Sequence, residues 1–171
     1  SHAYKYKFLD VVSALETHFK ETPDIIYFFD MFSNNQHIVS TLPFEWFTTT
    51  YKSAIQEFGH TVMVLAPWND PIEFTRAWCL FDIYCTVVTG SKLEIAMFYS
   101  EKENFLEAMR TDSGAFDQML ANIDLRKSDA WNRDDKARIF EVAEKEVGFD
   151  KLNAIVLKLM RDWGDSVLKS K

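Results

Sequence analysis

Glycine is scarce in this chain, with five in 171 residues, and proline scarcer, with four. That excludes collagen-like and low-complexity chains, which are rich in both. Long apolar runs are missing too: no stretch approaches the ~20 residues that span a bilayer. Clusters of Lys and Arg are absent as well. The pair Arg126-Lys127 is soon met by Asp129, the tail Lys169-Ser-Lys171 is short, and the formal net charge is −7. A surface that tracks the phosphates of duplex nucleic acid needs the opposite balance, so that partner is excluded. The two cysteines, Cys79 and Cys85, stand six apart on one expected helix. Their ~9 Å of rise is too long for a disulfide. Reduced thiols and a cytoplasmic location are expected. Residues 1–20 carry histidine, acid and lysine in helical spacing, unlike a signal peptide. There is no glycine-rich phosphate loop, and the four histidines are too scattered for a metal motif.

What is present is apolar residue, 47% of the chain, with 15% aromatic, enough for a large core. Phe8, Val11, Val12, Leu15 and Phe19 recur at three- and four-residue steps and predict a helix from Tyr6 to Lys20. Ile25-Ile-Tyr-Phe-Phe29 is a continuous apolar run too short for a helix; it reads as a strand buried on both faces. A polar loop, Ser33 to His37, precedes a helix from Phe44 to Phe58 that Gly59 closes. Thr61-Val-Met-Val-Leu-Ala66 is a second buried strand, and Phe74 to Val88 a helix ending at Gly90. Leu93 to Tyr99 is a third strand. Short helices follow at Asn104–Arg110 and Ser113–Asn122, then a brief edge strand at Ile123–Leu125. Asn132 caps a helix that Gly148 stops, and Leu152 to Trp163 forms the last one.

Strands alternating with helices imply an α/β domain with a parallel sheet, whose ligands bind beyond the carboxyl ends of the strands. By that rule the N-terminus, Asp30 to His37 and Pro67 to Arg76 converge. The chain starts directly before a helix, with no strand ahead of it. Either a strand lies upstream of Ser1 or the sheet is built differently. The apolar stripes after residue 126 read as structural, covering one flank of the sheet.

The segment Arg76-Ala-Trp-Cys-Leu-Phe-Asp82 is the most informative. On a helix, Trp78 and Asp82 share a face with Cys79 beside them. An indole next to a carboxylate near a strand end suits a flat ring or a sugar held by an acid. The same residues also read as packing, with Asp82 solvated or paired with Arg76.

This stretch resembles the Trp-Cys-Leu-x-acid motif of TIR domains, above all the TIR-like group found beside repeat arrays in protists and other eukaryotes. Three further segments carry the resemblance in order: Ser1-His-Ala-Tyr4, Asp30-Met-Phe-Ser-Asn-Asn-Gln-His37, and the Pro67-Trp68 that ends a strand. It covers roughly residues 1 to 125. It implies a flavodoxin-like parallel sheet of about five strands flanked by helices on both faces, its first strand truncated ahead of Ser1. Residues 126–171 then form a helical C-terminal extension packed on the same domain.

Several TIR domains cleave NAD through a glutamate on the helix that begins in this motif, and that position here is Asp82. The resemblance therefore implies a cytoplasmic signalling or innate-immunity module active on self-association as a homo-oligomer. NAD is its substrate and no cofactor is permanently bound. Aspartate is shorter by one C–C bond, ~1.5 Å, and such a displacement can cost ~100-fold in rate. Activity then needs a shifted helix; otherwise nucleotide binding stands alone. The conditional binding residues are Ser1, His2, Tyr4, Asp30, Asn35, His37, Trp68, Arg76, Trp78 and Cys79. Asn34 and Gln36 are further donors in the same loop. Asp30 suits ribose hydroxyls, Trp68 a base and Arg76 a phosphate. Each also has a structural role open to it: loop orientation, sheet cover or local ion pairing. Two other functions stay open, a non-catalytic TIR-like adaptor and a nucleoside-processing enzyme of similar fold.

Overall fold

The computed structural model describes residues 1–3, 5–22, 24–35 and 37–169. Tyr4 and Gln36, both named above as binding residues, lie outside the described residues. The first helix, α1 (Phe8–His18), turns Val11, Ala14 and Leu15 inward, the face set by its apolar spacing. A single turn, α2 (Asp30–Ser33), follows, with Phe29 extended just before it. α3 (Phe44–Trp46) runs through a π-turn at Phe47–Tyr51 into α4 (Lys52–Phe58). Gly59 ends α4 at φ 66°, the left-handed cap that the sequence predicts there.

β1 (His60–Leu65) leads through a 3-10 turn at Ile72–Thr75 to α5 (Ala77–Val88), and α5 returns the chain to β2 (Lys92–Met97). The two strands are parallel, in register from His60 opposite Lys92 to Leu65 opposite Met97. α6 (Tyr99–Thr111), α7 (Ala115–Asn122), α8 (Arg133–Glu146) and α9 (Phe149–Lys169) complete the chain. The Asn132 side chain accepts a hydrogen bond from the Asp134 N–H at 2.9 Å, the expected cap of α8.

The fold is mixed helix and strand, mostly helical, with a two-stranded parallel sheet among the described residues. The expected five-stranded sheet is not there, and two predicted strands account for part of the difference. Ile25–Phe29 is neither helix nor strand and, among the described residues, joins no ladder; Ile26 is left 87% exposed. Its apolar content read as double burial, yet a strand is buried that way only when it has a backbone neighbour on each side. At Ile123–Leu125 the chain makes no strand. It turns instead into a 3-10 turn at Leu125–Lys127, where the Asp124 carboxylate accepts from the Arg126 N–H at 3.1 Å.

Strand alternation divides the core in two. Val64 and Ala96 point to α1, meeting Val11, Ala14 and Leu15. Met63, Leu65, Ile95 and Met97 point the other way, into a larger cluster with Leu80, Phe81 and Ile83 of α5. Ile139 and Ala143 of α8 and Leu152, Val156 and Met160 of α9 belong to that same cluster, so the C-terminal helices share its core. Among the described residues no helix is long and apolar enough to cross a membrane.

Candidate functional site

The start of α5 is fixed from two sides. Asp129 bridges to Arg76: the Ala77 N–H donates to the Asp129 carbonyl at 2.8 Å, and the Asp129 N–H to the Thr75 carbonyl at 2.9 Å. This clamp brings the first turn of α8 beside the first turn of α5. Between them, the N-terminus and the loops after Phe29 lies a cavity of ≈ 480 Å³, within the ~300–1,000 Å³ of small-molecule sites.

Asp82, one turn into α5 and partly buried, lines this cavity together with Trp78 and Cys79. The Tyr51 hydroxyl donates to Asp82 Oδ1 at 2.9 Å. Burial raises the Asp82 carboxyl above the usual carboxylate range; the Ser1 ammonium, contacts to Ser1 and the Tyr51 hydrogen bond pull it back, and Asp30 pushes it up further. Tyr51 is held well above the ordinary phenol value by its own burial and then by the Asp82 charge. Trp78 packs against Phe47 with ring centroids 4.8 Å apart, giving the cavity an aromatic wall.

Ser1, His2, Asp30, Asn34 and Arg76 also line the cavity, so three of the predicted regions do contribute to one place. His2 is buried and stacks on Phe29 at 4.7 Å, with its Nδ1 3.8 Å from Asp30 Oδ1. Burial lowers the imidazole's affinity for a proton, an effect that the Asp30 charge opposes. Arg76 Nη1 donates to the His2 carbonyl and lies 3.7 Å from Cys79 Sγ. The Cys79 thiol is buried and pushed up to about 11 by desolvation, which makes it an inert wall rather than a nucleophile.

Three predicted residues are elsewhere. Trp68 does not line the cavity; it is buried edge-on against Phe105 at 5.2 Å, while its backbone N–H donates to the Glu101 carboxylate at 2.7 Å. Its side chain belongs to the larger core cluster, the sheet-cover role that the sequence also left open. Asn35 spends its side-chain oxygen on the His37 N–H at 3.0 Å, a local turn bond, and His37 is exposed outside the cavity.

The sequence reading missed Tyr51, Phe44 and Phe47 on the α3–α4 side, and Asn132, Asp135 and Arg138 of the α8 side. Arg138 lies over the Phe44 ring at 5.8 Å. Phe47 and Tyr51 stand four apart on the α3–α4 helical run, a visible signal of a shared face. Nothing local in residues 132–138 points across the molecule, because the Asp129 clamp that places them is a long-range backbone contact. The combined wall, with a carboxyl in a low-dielectric setting, flat aromatic faces and two guanidinium groups, suits a ligand having a planar ring, a cationic centre and anionic groups.

Compared with protein-family models, with curated proteins and with solved structures, the chain matches none.

Proposed function

We propose that this cavity is a nucleotide site in a TIR-like, cytoplasmic signalling or defence module, and that Asp82 is the carboxylate for cleaving the nicotinamide–ribose bond of NAD. The observation that carries the reading is Asp82 on the cavity wall beside Trp78, with Asp30 and Arg76 on the same cavity. In this chemistry the C–N bond breaks with its electron pair going to the nicotinamide nitrogen, which leaves neutral. The ribosyl C1′ becomes oxocarbenium-like, and water adds there and loses a proton. A carboxylate already desolvated by its surroundings stabilises that cation far more than one in water. Tyr51 fixes Oδ1 and so orients the group.

The expected result is nicotinamide release when concentrated protein is incubated with NAD, lost in Asp82→Ala and increased in Asp82→Glu, which restores the longer reach. The carboxyl is raised by burial, so its charged form disappears as pH falls through that raised value. The acid limb of the rate profile then lies above the ordinary aspartate range.

A second reading, the non-catalytic adaptor, draws on a different observation. Ile26, Phe32 and Ile38 are 87%, 69% and 52% exposed, apolar side chains available for self-association. Silence of both the native protein and Asp82→Glu toward NAD decides for the adaptor.

A further inference from the structure

The ionisable side chains around the larger cavity are unequal in number. Asp30, Asp82, Asp134 and Asp135 line it, against Arg76 and Arg138. Burial lowers the His2 imidazole below its ordinary value, so it adds no positive charge at pH 7. Even with the Asp82 carboxyl protonated, three carboxylates face two guanidiniums. A cleft with one sign in excess concentrates ligands of the other sign.

Position adds to the count. Arg76 Nη1 donates to the His2 carbonyl, so that guanidinium already serves the backbone. Arg138 lies over the Phe44 ring at 5.8 Å. Asp134 and Asp135 precede Arg138 by four and three residues on α8, spacings that share a helix face. Among the described residues none of these three forms a salt bridge. Asp134 and Arg138 are exposed and Asp82 is partly buried, so α8 stands at the mouth and Asp82 deeper in.

We propose that the site takes a phosphate-free N-ribosyl pyridinium cation, of the nicotinamide riboside type, in preference to the dinucleotide. This rests on Asp82 meeting the ribose, and it narrows the ligand to the cationic part of NAD. Such a nucleoside brings a positive charge into an acidic cavity, and its ring has the aromatic wall of Phe47 and Trp78 to lie against. NAD brings the same ring with a pyrophosphate attached. With the ribose at Asp82, that pyrophosphate runs out past the mouth, where two carboxylates stand beside one guanidinium. The bond broken is the same in both ligands. Its electron pair leaves with nicotinamide, and water adds at C1′ and loses a proton. NAD is then the weaker of the two substrates.

The test is calorimetric binding of nicotinamide riboside and of NAD to the whole chain carrying Asp82→Asn, which keeps an acceptor for the Tyr51 hydroxyl and stops cleavage. At low salt the riboside is expected to bind about tenfold or more tightly than NAD. The gap is expected to narrow at ~1 M salt, where the Debye length is ~3 Å. Adding Asp134→Asn and Asp135→Asn leaves one lining carboxylate against two guanidiniums and is expected to reverse the order; Asn132 still caps α8 there. NAD bound as tightly as the riboside in Asp82→Asn, or more so, overturns the proposal and leaves the nucleotide reading standing. So does a preference that survives both the added substitutions and the salt. Binding of neither ligand removes both.

Discussion

Two regions of this molecule have similar apolar content and opposite fates. In α5, Leu80, Phe81, Ile83 and Tyr84 are all fully buried, whereas in Ile25–Phe29 an equally apolar run leaves Ile26, Tyr27 and Phe28 exposed. The difference lies in the backbone. A helix satisfies its own N–H and C=O groups and needs only a side-chain partner, which α8 and the sheet supply to α5. An extended segment must find its hydrogen bonds in a neighbouring strand before its side chains can be buried. Apolar content creates the demand for burial, but the backbone decides whether it is met.

The contrast is sharpest at the centre of the larger cluster. Phe105 is fully buried, with rings of Trp68, Phe116 and Trp163 around it at 5.2, 5.2 and 4.9 Å. Phe105→Ala is expected to cost about 3–5 kcal/mol in denaturant unfolding. A loss under 1 kcal/mol would mean that the cluster is loosely packed and that the two regions differ less than their burial indicates.

Glu73 probes the turn between β1 and α5. Its carboxyl is fully buried and pushed up to about 7 by desolvation. The Tyr6 hydroxyl and the backbone amides of residues 73, 3 and 66 pull the other way. Among the described residues, however, none closes a hydrogen bond of good geometry to either carboxylate oxygen. A carboxyl with a raised value binds its proton more tightly in the folded state than in the unfolded one. Stability therefore falls as pH rises from the ordinary 4.5 to about 7 and is level above that. The loss amounts to at most about 3 kcal/mol. Glu73→Gln is expected to remove it, raising the melting temperature at pH 8 and leaving it unchanged at pH 4. A melting curve that keeps the same pH dependence in the variant places the buried charge elsewhere.

The smallest effect belongs to the exposed run. Ile26→Asn removes an apolar side chain that is already in water, so its stability change is expected within about 0.5 kcal/mol. A large loss in the same unfolding experiment would show that Ile26 is covered in solution, which breaks the comparison from the other side.

Much of the local structure was legible. The apolar period of three and four marked α1, Gly90 marked the end of α5, Gly59 and Asn132 marked a helix end and a helix start, and two strands were placed within a residue or two. The Trp78–Asp82 face was legible too, since four-residue spacing on a helix fixes it, and both line the cavity. The sequence left Trp68 open between a ligand base and sheet cover, because a Trp after a strand has no local sign of which way it turns. The packing of α6 beside it, with Phe105 and Glu101, sends it inward.

By itself, then, the sequence determined which segments are helices and which faces of them are apolar, because those properties depend on neighbours within about one turn. Tertiary structure alone decided that the first turn of α8 walls the cavity, that Tyr51 holds Asp82, and that Ile25–Phe29 stays outside the sheet. Each of these depends on a partner tens of residues away, and a pattern of apolar and polar residues specifies that a face must be covered without specifying by what.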